Sequence, residues 1–286
     1  LGAVSDRDSR RPGAALAGGA LVLLLGLGTV AGCAQAQDTA GGAVKDEPAI
    51  GVVETITDPS QVSRPLDAYR PSASQVVALA QAQARLTTQC YAQHGSPAIF
   101  TNGGDLIEFI GDPVRSDAEW SSLWGFFSPA ERAHGYHRDL APLESGPSVP
   151  VPEAVTGACE DQATGQMPFG QDWSAFMHPP RPDGLTPVTP RNDSRVVAVV
   201  EKWAQCMASA GFTVRDPAQS MTDSAAASGG NAEVTRAATD LRCKQETNLV
   251  GVETAVLAAY DQQFIEANRA ALERYRATIS DFLKTR

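Results

Sequence analysis

A chain of 286 residues with a formal net charge of −10 has room for one large domain or two small ones, and lacks the basic surplus that nucleic acid or an anionic bilayer surface requires of a partner. GxSxG, HExxH and Walker A patterns are absent, so no motif marks it as a serine hydrolase, a zinc protease or a P-loop nucleotide-binding protein.

The stretch Arg10–Cys33 comes first in chain order and sets the compartment in which the remaining residues are read. Arg10-Arg11 precede a mostly apolar run, Ala14–Ala31, which closes as Val30-Ala31-Gly32-Cys33. A basic segment, an apolar segment and small residues at the cut form a secretory signal. The 18 residues of the run fall just short of the roughly 20 a spanning helix needs, and Gly18, Gly19, Gly26 and Gly28 weaken it as a helix. Pro12-Gly13 after the arginine pair fits general secretion better than twin-arginine export. The ending resembles a bacterial lipobox. That resemblance makes residues 1–32 a lipoprotein signal peptide and Cys33 the diacylglyceryl-modified first residue of the mature chain, held at the outer face of the cell membrane.

Without residues 1–32, which hold three Arg and two Asp, the chain carries 20 basic and 31 acidic residues. Four cysteines remain beyond Cys33: Cys90, Cys159, Cys206 and Cys243. Outside the cytoplasm an even number of thiols reads as two disulfides with three connectivities open, and no CxxC pair argues for zinc. Joining Cys90 to Cys159 and Cys206 to Cys243 closes loops of moderate length without crossing. Each closure is worth about 3–4 kcal/mol at best. Cys90 with Cys206 is the competing arrangement.

Residues 33–50 have almost nothing to bury and read as a flexible tether, about 20–25 Å from end to end as a coil. Residues 51–286 then read as a single mainly helical domain, divisible into 51–191 and 192–286. Gly51–Ile56 has the composition of a short strand. After Pro71, Ser72 and Gln75 form a capping box, and Val76, Leu79, Ala82, Leu86 and Cys90 recur at helical spacing up to a terminating Gly95. Short helices are expected at Asp117–Trp124 and Pro129–Ala133, with Pro147–Pro152 and Pro179–Pro190 as long extended loops. Asn192-Asp193-Ser194 opens a second amphipathic helix through Val196, Val199, Val200, Trp203, Cys206, Met207 and Ala210, ended by Gly211 and Phe212. Thr222–Asn231 is a low-complexity link. Helical pattern resumes at Glu233 through Leu241 and Cys243, and a last helix over Leu249–Leu283 would be about 50 Å long. The fold class is therefore mainly α: helices stapled by two disulfides, long Pro-rich loops and a long C-terminal helix.

Candidate chemistry is sparse. His134 and His137, with His178 or Asp172, have the makings of a metal site, but Gly135-Tyr136 signals a turn and ordinary hydrogen-bonding histidines are the favoured reading. Glu160, Asp161 and Asp172 offer paired carboxylates of the kind used in glycoside hydrolysis, as does any acidic chain. Trp120, Trp124, Phe126 and Phe127 suit a binding platform, yet a spacing of four also suits two indoles buried on one helix.

Several segments together resemble a group of uncharacterised secreted proteins and lipoproteins of actinobacteria. They are Pro65–Tyr69, Cys90-x4-Gly95, Ala133–His137, Gly157-Ala158-Cys159, Trp203-x2-Cys206-Met207-x3-Gly211 and Asp240–Thr247. Tyr91 departs from a Met often found there. The resemblance implies an extracytoplasmic location and a four-cysteine framework, and no activity. The expectation is a non-catalytic envelope lipoprotein, without cofactor or metal, that engages an envelope protein or peptidoglycan and reaches the membrane through the lipid on Cys33. The alternative is a peptidoglycan-acting enzyme using carboxylates of the middle region, or His137.

Overall fold

The computed structural model describes residues 47–96, 125, 135–136, 151–222 and 230–285, all within the unit Gly41–Arg286. The signal segment, Cys33, Trp120, Trp124, Phe126, Phe127, His134 and His137 lie outside the described residues, as do the helices expected at Asp117–Trp124 and Pro129–Ala133 and most of Thr222–Asn231.

Helix α1 spans Ala73–Gln93 and begins as its sequence dictates. Ser72 Oγ accepts from the Gln75 amide while Gln75 Oε1 accepts from the Ser72 amide, so each residue satisfies a donor that the first helical turn leaves open. The expected stripe of Val76, Leu79, Ala82, Leu86 and Cys90 is buried throughout. Helix α2, Glu153–Gly165, has no counterpart among the expected helices. Thr156, Gly157 and Gly165 make it a weak helix by propensity, and only Cys159 and Ala163 are buried along it. Packing against α1 and the Cys90–Cys159 bridge supply what propensity does not.

Helix α3, Ser194–Ser209, is capped by the Asp193 carboxylate and ends in a Schellman arrangement, with the Phe212 amide on Met207 O at 3.0 Å and the Gly211 amide on Ala208 O at 2.9 Å. Helix α4, Pro217–Thr222, is a short connector. Helix α5, Asn231–Thr247, is tied to α3 by the Cys206–Cys243 bridge, whose Cα atoms stand 5.7 Å apart. Both disulfides follow the non-crossing pairing.

A single residue, Asn248, separates α5 from α6 (Leu249–Lys284). It sits in the left-handed region at φ 52°, a conformation Asn tolerates better than most residues. Its side chain also holds the incoming N-terminal segment, donating to Glu54 O at 3.0 Å and accepting from the Ile56 amide at 3.4 Å. Here the expected strand at Gly51–Ile56 is corrected. The segment is extended but lies across the start of α6 rather than beside another strand, and no strand occurs among the described residues. Gly251 is what allows that approach, because a Cβ there would fall 2.1 Å from Glu54 O.

Helix α6 is the spine. At 36 residues it is about 54 Å long. Its first part joins a core of Ile56, Val199, Trp203, Met207, Leu241 and Leu249. Its last part joins a second core with Val76, Leu79, Phe176, Tyr275 and Ile279. Between them Leu66 and Tyr69 pack on Ile265 and Leu272, beside a buried bidentate pair in which Arg64 Nε and NH2 reach the two Asp261 oxygens at 2.9 and 2.7 Å. The far end of α6 thus packs on the N-terminal half, with a kink at Asn268, whose side-chain amide donates to Phe264 O inside the helix. The expected outer face, Glu266, Arg269, Glu273, Arg274 and Arg276, is exposed.

Candidate functional site

Among the described residues, the strongest concentration of polar chemistry is not on the surface. It lies under it, where α3, α5 and α6 meet. Four residues apart on α5, Asp240 and Lys244 stack on one helix face, and both point into the core. Lys244 Nζ lies 2.8 Å from Asp240 Oδ2, with side-chain exposures of 1% and 0%. Trp203 of α3, also fully buried, donates its indole N–H to Asp240 Oδ1 at 2.8 Å. Tyr136 donates its hydroxyl to Oδ2 at 3.1 Å and shares a 2.8 Å hydrogen bond with Ser220 Oγ. Arg236 Nε reaches the same Ser220 oxygen at 3.4 Å. On α6, Glu253 is 1% exposed, and its Oε2 has no hydrogen-bond partner among the described residues.

Burial dominates the electrostatics of this cluster. It drives the Asp240 carboxyl up against the pull of Lys244, and the Lys244 ammonium down against the pull of Asp240. Glu253 is pushed up to about 8, chiefly by burial, with Lys244 and Arg191 opposing and Asp216 adding to the rise. The Tyr136 hydroxyl is raised in the same way, by burial first and then by the Asp240 charge. Each of these groups is held toward its neutral form.

The cluster explains part of the segment Ala133–His137. Gly135 stands at φ +80°, and a Cβ on it would lie 2.7 Å from Glu233 Oε1, the atom that accepts the Tyr136 amide at 2.9 Å. The turn sets Tyr136 against α5, with its amide on Glu233 and its hydroxyl on Asp240. Gly135→Ala is therefore expected to cost about 2–3 kcal/mol, from the left-handed backbone and the displaced Glu233 together. Urea unfolding of the purified chain measures it, and a loss under about 0.5 kcal/mol would mean that Gly135 is a passive loop residue.

The other sequence candidates fall elsewhere. Glu160 and Asp161 are exposed on α2. Asp172 caps the turn Trp173–Met177 and accepts from Gln83 Nε2 at 2.8 Å. Burial raises its carboxyl, but the bonds from Ser174 and Gln83 outweigh that and hold it below the ordinary carboxylate range. His178 is an exposed residue ending that same turn. Side-chain ligand atoms of His94, Cys90 and Cys159 lie within 4.8 Å of one another, but the two sulfurs are bonded to each other. An open cleft of about 400 Å³ between Pro71 and the far end of α6 presents Arg276. Its guanidinium already lies over the Tyr69 ring and 3.7 Å from Glu273.

Sequence reasoning passes over Asp240, Lys244 and Glu253 because charged residues on a helix ordinarily mark its solvated face. One signal is present: on the helical wheel Asp240 and Lys244 fall on the same side as Leu241 and Cys243. No family model, no curated protein and no solved structure matches this chain.

Proposed function

We propose that the chain is a lipoprotein anchored through Cys33 at the extracytoplasmic face of the cell membrane. Its helical unit acts without catalysis, binding or organising a component of the envelope. The observation that carries this reading is the lipobox-like Val30–Cys33, together with a fold in which Cys90, Cys159, Cys206 and Cys243 are all disulfide-bonded, the state that an oxidising compartment maintains. The resemblance to secreted actinobacterial proteins with four cysteines supports the same compartment. Among the described residues no helix is long and apolar enough to cross a membrane. Support for a non-catalytic role comes from the polar cluster, whose most perturbed groups lie beneath the surface holding three helices together.

Cys33→Ser is expected to shift the protein from the membrane fraction to the soluble fraction, or to leave it as unprocessed precursor. Retention in the membrane at full precursor length, with no acyl group found on the wild type, would replace the lipid anchor with a spanning one. Crosslinking in intact cells then addresses the partner. Recovery of one envelope protein in stoichiometric yield is the expected result, and recovery of peptidoglycan fragments alone would count against it.

A further inference from the structure

We propose that Asp240 and Lys244 become joined by an isopeptide bond, formed within the folded core by condensation of the Lys244 amine with the Asp240 carboxyl. The described geometry is that of the unreacted pair. On a helix, side chains at i and i+4 lie one above the other, so an Asp and a Lys at that spacing can be bridged without disturbing the backbone. Here the amine nitrogen already stands 2.8 Å from a carboxyl oxygen, and both side chains are fully buried. Lys244 is one of only four lysines in the chain and is fully buried, a placement that solubility does not explain.

In water such a pair is inert, since the ammonium has no lone pair and the carboxylate repels a nucleophile. This core reverses both conditions by disfavouring both charges. The remaining parts of an acyl-transfer site are present. Trp203 Nε1–H, 2.8 Å from Oδ1, is placed to hold the oxyanion that develops when Nζ attacks Cγ. Tyr136, 3.1 Å from Oδ2 and hydrogen-bonded to Ser220, is placed to hold the leaving oxygen by its hydrogen bond while that oxygen takes the proton shed by the amine. Glu253, buried on α6 with an Oε2 that has no hydrogen-bond partner among the described residues and close enough to Lys244 for the two charges to interact, is the carboxyl proposed to pass on the proton shed by the attacking amine. The Nζ–Cγ bond forms and the Cγ–Oδ2 bond breaks. One amine hydrogen leaves with the carboxyl OH as water, and neither an oxidant nor a cofactor takes part. The product replaces two groups that burial holds away from their charged forms with one neutral amide, and the water released leaves to solvent when the core opens locally, after which the closed site keeps hydrolysis slow.

Peptide mapping of the full-length wild-type protein tests this independently of N-terminal processing. After reduction and trypsin digestion, Ala237–Arg242 is expected to remain joined to the peptide beginning at Cys243. Cleavage after Lys244 should be absent, and the joined species should lie one water below the sum of its parts while giving two N-terminal residues, Ala237 and Cys243, where an uncut linear peptide of the same mass gives only Ala237. Asp240→Asn is expected to give the same linkage with loss of ammonia instead, and Lys244→Met to give none. Glu253→Gln should slow bond formation by about a hundredfold or more, followed by mass over time. Circular dichroism of each variant establishes that it has folded. Free Ala237–Arg242 and cleavage after Lys244 in folded wild-type protein, after prolonged incubation, would overturn the proposal. So would a water loss that persists in Lys244→Met.

Discussion

Glu253→Gln is expected to flatten the pH dependence of stability between about pH 4.5 and about pH 8, the ordinary value of a Glu carboxyl and the value this one reaches in the fold. Burial is the main cause of that rise, and the favourable charges of Lys244 and Arg191 only partly offset it. Across the window the folded protein keeps a proton that the unfolded chain has released. Folding therefore takes up a proton, and stability falls as pH rises. The contribution of protonated Glu253 is fully present below about pH 4.5 and is lost as pH climbs through about 8. At about 1.36 kcal/mol per unit, the wild type forfeits about 5 kcal/mol over that span, a large part of the stability of an ordinary domain. Glutamine keeps the size of the side chain and cannot ionise, so the variant should hold its stability where the wild type weakens. Urea unfolding of both proteins at about pH 5 and about pH 9, each with Asp240 and Lys244 still unjoined by intact mass, compares the slopes. Parallel profiles would mean that the Glu253 carboxyl is solvated in the native state.

The second large effect is expected at Trp203. Its ring is fully buried among Val199, Met207, Leu241 and Leu257, and its N–H is one of the donors to Asp240. Trp203→Ala removes the packing and leaves a cavity, at about 3–5 kcal/mol. Trp203→Phe keeps most of the packing but orphans Asp240 Oδ1, at about 1–3 kcal/mol. The difference between the two variants separates the contribution of packing from that of the hydrogen bond. If both lose under about 1 kcal/mol, Trp203 does not hold together the core it shares with Val199, Met207 and Leu241.

Local rules made much of this fold legible. Ser72 and Gln75, Asp193, and Gly211 with Phe212 are start and stop signals whose physics is confined to one helical turn, and each stands where its pattern puts it. The stripe from Val76 to Cys90 is likewise a matter of period alone. The two disulfides take the non-crossing pairing that loop closure favoured over Cys90 with Cys206, a preference set by sequence separation.

What failed to show was whatever depends on a neighbour distant in sequence. Helix α2 has poor intrinsic propensity and exists because α1 and Cys90 are there to hold it. Gly51–Ile56 has a strand's composition, yet its amides and carbonyls turn to Asn248 across 192 and 194 positions of chain.

The candidate site divides along the same line. Sequence alone determined that the chain carries a lipobox-like Cys33, a four-cysteine framework, and helices that end where glycine ends them. Tertiary structure alone decided that Asp240, Lys244 and Glu253 lie inside. A helix wheel records which residues share a face but not what covers that face. Here Trp203, Tyr136 and the first turns of α6 cover it, and their arrival turns three ordinary charges into a dry cluster.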